Sequence, residues 1–457
     1  MACNYAGSRL DKPLAIPYSP GPSTYFLMAS GFQTLPGFRD FAPRECQLRN
    51  YLFETWRRVA TRYGFSEYET PMLEPTELYL KKSGGELSSQ LFRFQDQGDR
   101  DVTLRPEVTA SLARLAAANQ RDYPKPLKWF EIGQCFRYEK PQKGRLREFY
   151  QFNTDILGDD TPASDAELIA LAIDTMRELG FGTEDFKVRL SDRNAWQAFA
   201  ENHELSEENL ATLLQIVDKI EREKPEVTAN KLEAIGLTSE QVHDFIKDPS
   251  NETDALRAIR ENLTARGLGD FLDIDLSIVR GLAYYTGVVF EIFDTRRSLR
   301  AVAGGGRYNT LVSTLTNGKN DLPAIGFAMG DVVIGHFIEE TSAAKMKFEV
   351  WKMNDATCDV YVVIADEEKR TEALALTQEL REAGLRVDFP LNPAKIQKQF
   401  KTADQTLAPF ALIVGSEFPQ LSLRSLTSRT EEPIHPNTDT ADFIKNRLSK
   451  SPGDLLA

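Results

Sequence analysis

The sequence predicts an α+β fold in three parts: an antiparallel sheet flanked by helices over residues 31–345, a helical insertion within it at about 200–269, and a C-terminal α/β domain over 358–457. Three observations carry this. Two runs rich in aromatic and β-branched residues, 127–139 and 147–157, are separated by a polar, glycine-containing loop, the pattern of an antiparallel hairpin. Residues 200–269 replace that pattern with charged, helix-forming segments that have few aromatics. Beyond about 358, strand and helix signals alternate, which implies right-handed βαβ units and a largely parallel or mixed sheet.

The elements follow in order. Residues 1–30 carry Pro13, Pro17, Pro20 and Pro22 and no periodic apolar face, so a flexible tail is expected. Leu48, Leu52, Trp56, Val59 and Tyr63 then recur at helical spacing, with Pro43 at the start and Gly64 as the stop. A strand is expected at 67–73. After the hairpin, a helix over 163–179 begins behind Asp160 and Pro162, ends at Gly180, and places Leu168, Leu171, Ala172, Thr175 and Leu179 on one face. In the insertion, Ser206 is expected to cap a helix over 206–223. Strand signals return at 274–279, 284–293 and 300–302, followed by a helix at 329–340. Past a polar stretch at 341–357 come strand 359–365, helix 367–383, strand 385–389, helix 393–402 and strand 410–414.

Composition narrows the class of protein. A chain of 457 residues exceeds one ordinary core, so two or three domains are expected. The 41% hydrophobic and 27% charged content is that of a soluble globular protein. No apolar run approaches the roughly 20 residues of a membrane span. Cys3, Cys46, Cys135 and Cys358 are isolated and only four histidines are present, so neither a metal site nor a disulfide framework is expected, and the reduced cytoplasm is the expected compartment. The net charge of −13 argues against indiscriminate binding to a polyanion, although it leaves room for a local basic groove.

Chemistry concentrates around the hairpin loop. Arg137 and Glu139 are two apart on an expected strand and so share a face, with a basic loop, Lys140 to Arg147, above it. Arg137 suits a bidentate phosphate clamp, Glu139 an acceptor for an exocyclic amine, and Phe149 an aromatic plate for a base. The bland alternative is a surface strand with a salt-bridged pair.

The whole string at 136–149, FRYEKPQKGRLREF, closely resembles motif 2 of the class II aminoacyl-tRNA synthetases, in the form used by the histidine-specific family. LRPEVTA at 104–110 and TPML at 70–73 are similar to that family's next two upstream elements. Downstream, VRGLAYYTG at 279–287 with Phe290-Glu291 resembles its histidine-specific element, and AGGGRY at 303–308 its glycine-rich partner. Together they span about 37–330 in family order.

The resemblance implies a class II catalytic domain with a C-terminal anticodon-binding domain, acting as a homodimer through the Trp56 helix and the Pro71 segment. It also implies a reaction of L-histidine with ATP to histidyl-adenylate, followed by transfer to tRNA(His), with Mg2+ arriving on the ATP and no dedicated protein metal site. By resemblance, Arg137 and Arg280 are catalytic, and Arg137, Glu139, Arg145 and Phe149 bind ATP. Glu107, Val108, Thr109, Arg137, Gln151, Asp155, Arg280, Tyr284 and Tyr285 bind histidine. Glu107, Thr109 and Gln151 hold the ammonium, Arg280 the carboxylate, and Asp155 with Tyr284 or Tyr285 the imidazole. Structural alternatives stand beside these roles: Asp155 as a strand-end cap, Tyr284 and Tyr285 as ordinary strand aromatics, Gly304 to Gly306 as a bulge.

Three positions depart from the family pattern. Asp155 stands where glutamate is usual, Ala283 where aspartate is usual, and the 326–333 segment lacks the motif 3 arginine expected near Val333. They point to a divergent branch. The competing reading is the non-catalytic, synthetase-like regulatory subunit of ATP phosphoribosyltransferase. A nucleic-acid-binding module without catalysis is a third, disfavoured by the acidic total.

Overall fold

The computed structural model describes residues 32–81, 88–142, 144–280, 284–296, 299–354 and 358–449. The expected tail, residues 1–30, and the departure at Ala283 lie outside the described residues. The largest layer is an eight-stranded sheet. Its order is Ser66–Glu67, Leu127–Phe136, Glu148–Leu157, Ala324–Gly330, Ala303–Arg307, Val288–Asp294, Phe186–Asp192, Leu272–Ile274. The inner pairings are antiparallel, while the outermost pair at each edge is parallel.

Helices cover one face of this sheet because their apolar stripes have nowhere else to go. The helix Pro43–Arg62 buries Tyr51, Leu52, Trp56 and Val59, and the Trp56 indole stacks on Phe152 at 5.4 Å between ring centroids. The helix Pro162–Glu178 buries Leu168, Ile169, Leu171 and Ala172 beside it. Burying one Phe such as Phe152, which is fully inaccessible, is worth about 1.5–3 kcal/mol. With this face packed, the opposite face is left for chemistry.

A second, three-stranded sheet is built from Leu73–Pro75, Asp101–Leu104 and Phe92–Gln95. The expected single strand at 67–73 is therefore wrong. It divides into Ser66–Glu67 in the large sheet and Leu73–Pro75 in the small one, with Pro71 in the break, where a missing N–H cannot serve a ladder. Buried Arg105 ties this break to the large sheet. Its guanidinium donates to Thr70 O at 2.9 Å, Thr70 Oγ1 at 2.8 Å, Gln134 O at 2.8 Å and Glu131 Oε1 at 2.5 Å.

The insertion is helical as expected, through Glu207–Val217, Pro225–Glu233, Ser239–Lys247 and Asp254–Ala265. Ser206 does cap, accepting from the Asn209 N–H at 3.2 Å. The helix it starts is regular only to Val217 instead of 223; tighter turns follow, with Lys219 N–H on Ile216 O and Ile220 N–H on Val217 O, and Lys224 is extended ahead of Pro225. The segment 274–279 is a strand only to Ile274; beyond it, the Trp196 indole and the Arg193 guanidinium take the Leu276 and Val279 carbonyls that a ladder would use. The strand expected at 300–302 lies instead at Ala303–Arg307. The polar stretch at 341–357 contains the helix Ser342–Asn354, whose Phe348 and Trp351 pack on Tyr51.

The C-terminal unit has its own sheet, ordered Val387–Asp388, Val360–Ile364, Phe410–Val414, Leu421–Ser425, Glu431–Ile434. Its first three strands are parallel and the last two add on antiparallel. Val360, Val362, Leu412 and Val414 form a core of their own with Leu376 and Leu380. The described residues contain no helix long and apolar enough to cross a membrane.

Candidate functional site

Strand alternation puts Gln151, Asn153 and Asp155 on one face of Glu148–Leu157, at the centre of the large sheet. They line a narrow cavity together with Glu107, Thr109, Arg137, Arg280, Tyr284, Tyr285 and Tyr308. Of the residues expected to hold histidine, all but Val108 meet here. Val108 is fully buried, and a Cβ on Gly133 would press against its side chain, so that side chain packs under the site. Thr109 opens the helix Thr109–Asn119, whose N-terminal end favours negative charge.

The neighbouring strands stay thin so that these side chains can lie flat on the sheet. Gly326 pairs with Asp155, and a Cβ there would collide with the Asp155 carboxyl group. Gly304 plays the same part for Arg280, whose guanidinium would meet any side chain at that position. Asp155 accepts from the Tyr308 hydroxyl at 2.6 Å. Burial, then the charge of Asp155, holds the Tyr308 phenol well above its ordinary range, so it remains a donor. Tyr284 is likewise raised, first by burial and then by Glu107.

Arg280 is held in a left-handed backbone conformation, φ 57°, which costs a residue with a Cβ about 1–3 kcal/mol and clusters at functional sites. Its Nη1 is paired with Glu291 on the adjoining strand. Burial works against its charge, but Glu291 outweighs it and keeps the guanidinium firmly protonated. Arg193 anchors the same segment by donating to the carbonyls of Val279 at 2.9 Å, Arg280 at 2.5 Å and Tyr285 at 2.8 Å. Arg280 Nε and Asn153 Oδ1 are buried without a hydrogen-bond partner among the described residues, which leaves a donor and an acceptor for a ligand.

Of the phosphate-handling candidates, Arg137 lines the cavity, and Glu139 and Arg145 follow it in the chain. The strand Leu127–Phe136 ends one residue before Arg137, so Arg137 and Glu139 are not strand neighbours as expected; they belong to the loop that follows. Arg137 Nε donates to Pro106 O at 2.9 Å, and its guanidinium lies 5.3 Å from the Phe149 ring centroid. Arg145 Nη1 pairs with Glu139 Oε2 at 2.6 Å. The motif 3 end is rebuilt: buried Asp331 accepts from the Tyr150 N–H at 2.9 Å and pairs with Arg39 at 2.8 Å.

A family model described as histidyl-tRNA synthetase matches residues 37–331, and one described as anticodon binding domain matches 359–447. The histidine–tRNA ligase of Opitutus terrae is 41% identical over 92% of this chain and 99% of its own length. The chain belongs to the histidyl-tRNA synthetase family. The histidine–tRNA ligase of Haloarcula marismortui is 34% identical over 93% of this chain and 97% of its own. Among solved structures, the histidyl-tRNA synthetase of a Nostoc species superposes with a TM-score of 0.73 at 25% identity, covering 91% of this chain and 99% of that one.

Within this histidyl-tRNA synthetase fold, sequence reasoning gave no role to Asn153, Arg193, Glu291 or Tyr308. Asn153 was reachable, since it lies between Gln151 and Asp155 at period two. Tyr308 and Glu291 stood inside quoted motifs. Arg193 left no local signal, because its three acceptors are more than eighty residues away in the chain.

Proposed function

We propose that the cavity is the histidine pocket of a histidine–tRNA ligase, with ATP entering over Phe149 and the basic loop. The observation that carries this is the meeting of two arginines, Arg137 and Arg280, with the acceptors Glu107, Gln151 and Asp155 in one cavity. A substrate with an ammonium, a carboxylate and an imidazole matches that set group by group. The histidine carboxylate attacks the ATP α-phosphate, pyrophosphate leaves, and histidyl-adenylate remains. A terminal hydroxyl of tRNA(His) then attacks the activated carbonyl and AMP leaves. Two anions must approach in the first step, so fixed guanidinium charge lowers its barrier. Mg2+ comes with the ATP phosphates as part of that substrate.

Asp155, shorter by one methylene than the family's usual glutamate, serves the imidazole together with the Tyr308 hydroxyl it binds. The C-terminal sheet serves the anticodon region, which favours tRNA charging over the regulatory-subunit alternative. In this reading, the full chain supports histidine-dependent ATP–pyrophosphate exchange and charges tRNA(His). A chain ending before residue 358 keeps much of the exchange and loses most of the charging. Equal loss of both would assign the C-terminal unit a purely structural role.

We assign a homodimer to the small-sheet side of the molecule. Met72, Leu73, Leu80 and Phe94 are exposed on the segments that build this sheet and its short helix, and a second copy would take them out of water. The Trp56 helix would contribute through its outward face, since Trp56 itself is buried on Phe152. Sedimentation at micromolar concentration should give twice the chain mass, and a fully active monomer would contradict this. Free Cys46, Cys135 and Cys358 agree with a reducing, cytoplasmic setting.

A further inference from the structure

Where the family places its motif 3 arginine, this chain has Val333. That side chain abuts the basic loop: a Cβ on Gly144 would lie 3.5 Å from Val333 Cγ2. The phosphate end of the site has therefore lost a cation at a known spot. The neighbouring strand brings another to the same end of the sheet. Ala303 pairs with Met329, so the chain entering Ala303–Arg307 runs beside the chain that leaves Ala324–Gly330 for the helix Asp331–Glu340. Arg300, three residues ahead of Ala303, sits on that approach.

Its surroundings are those of an anion site. Arg300 and Arg222 are exposed and form no ion pair among the described residues. Desolvation, then repulsion from Arg145, holds the Arg300 guanidinium below its ordinary value, with Glu139 opposing and Arg222 adding to the repulsion. Arg145 already occupies Glu139. Arg300 thus faces a carboxylate that Arg145 already holds, with Arg222 adding further positive charge, an arrangement that a multiply charged anion would stabilise.

We propose that Arg300, acting with Arg145, binds the outer phosphates of ATP and so replaces the missing motif 3 arginine. The proposal rests on the synthetase reading of the site, and it goes further by naming the residue that holds the pyrophosphate end. A planar guanidinium suits the task, since it grips phosphate oxygens in pairs.

The test uses the full chain with Arg300→Ala and Arg300→Gln, comparing direct binding of ATP and AMP with the kinetics of histidine-dependent exchange. Both variants should lose about tenfold or more in ATP affinity and in kcat/KM for ATP, the scale of one hydrogen-bonded charge contact. AMP affinity, the KM for histidine and the urea midpoint should stay where they are. Unchanged ATP affinity overturns the proposal, and so does an equal loss for ATP and AMP. If ATP binding holds and only the KM for tRNA rises, the cations serve the acceptor end, and the proposal falls while the synthetase reading stands. Wild-type protein that binds ATP without exchange would sink that reading instead, and the ATP against AMP comparison would still decide the role of Arg300.

Discussion

Arg280→Ala is expected to cut histidine-dependent pyrophosphate exchange by about 10²-fold or more, the scale of losing one preorganised electrostatic donor. The expectation comes from geometry. Arg280 is fixed by a left-handed backbone, by Arg193 on its segment's carbonyls and by Glu291 on its guanidinium. A charge held this way needs no reorganisation as negative charge builds between carboxylate and α-phosphate, so its effect belongs to the transition state and should show in kcat. Arg280→Lys should recover little, because the point charge of an ammonium cannot reproduce the planar fork whose separate N–H groups can meet Glu291 and grip a substrate oxygen pair in fixed directions. Steady-state exchange rates, with urea midpoints alongside, separate this from a stability effect. If lysine works nearly as well as arginine, or if lost activity only tracks lost stability, Arg280 is structural.

The largest stability effect is expected at Arg105. Arg105→Met should cost about 3–5 kcal/mol, the range for breaking a buried ion pair from one side. Arg105 and Glu131 are each 2% exposed, so loss of the guanidinium leaves the Glu131 carboxylate buried without its cation, held by the Thr70 hydroxyl at 2.8 Å, and takes a donor from the Thr70 and Gln134 carbonyls. The double variant Arg105→Met, Glu131→Met should regain most of the loss, since apolar groups of similar volume carry no desolvation penalty. Urea unfolding measures both. A loss below about 1 kcal/mol, typical of an exposed pair, would show that the pair is solvated in solution.

What the sequence disclosed depended on whether an element's signal was local. The Pro43–Arg62 helix was legible because one stripe, Leu52, Trp56 and Val59, meets the core at helical spacing. The hairpin was legible because both strands are long and packed on one face. Ala303–Arg307 was not, because its site-facing positions must be glycine to leave room for Arg280, and glycines read as a turn or bulge. The helix Ser342–Asn354 was hidden by its polar residues; only Phe348 and Trp351, three apart, mark the face that meets Tyr51. The strand expected at 274–279 failed because apolar residues there are buried by side chains capping the backbone, with no ladder.

The site was legible to the extent that it lies in contiguous motifs. Glu107, Thr109, Gln151, Asp155, Arg280, Tyr284 and Tyr285 were named from sequence and line one cavity. The anchors were not, since Arg193 and Glu291 act through pairings that only the sheet order creates. Arg300 belongs with them: its place at the motif 2 end follows from the sheet order, in which Ala324–Gly330 lies between Glu148–Leu157 and Ala303–Arg307.

The central claim is that this cavity activates histidine and no other amino acid. ATP–pyrophosphate exchange by the purified full chain, run with each of the standard amino acids in turn, tests it most directly. Polar groups built for an imidazole are left unpaired by any other side chain, so histidine should be favoured by about 10⁴-fold or more. Exchange with histidine alone is the predicted result. Histidine binding with no exchange, or comparable exchange with a second amino acid, would contradict it.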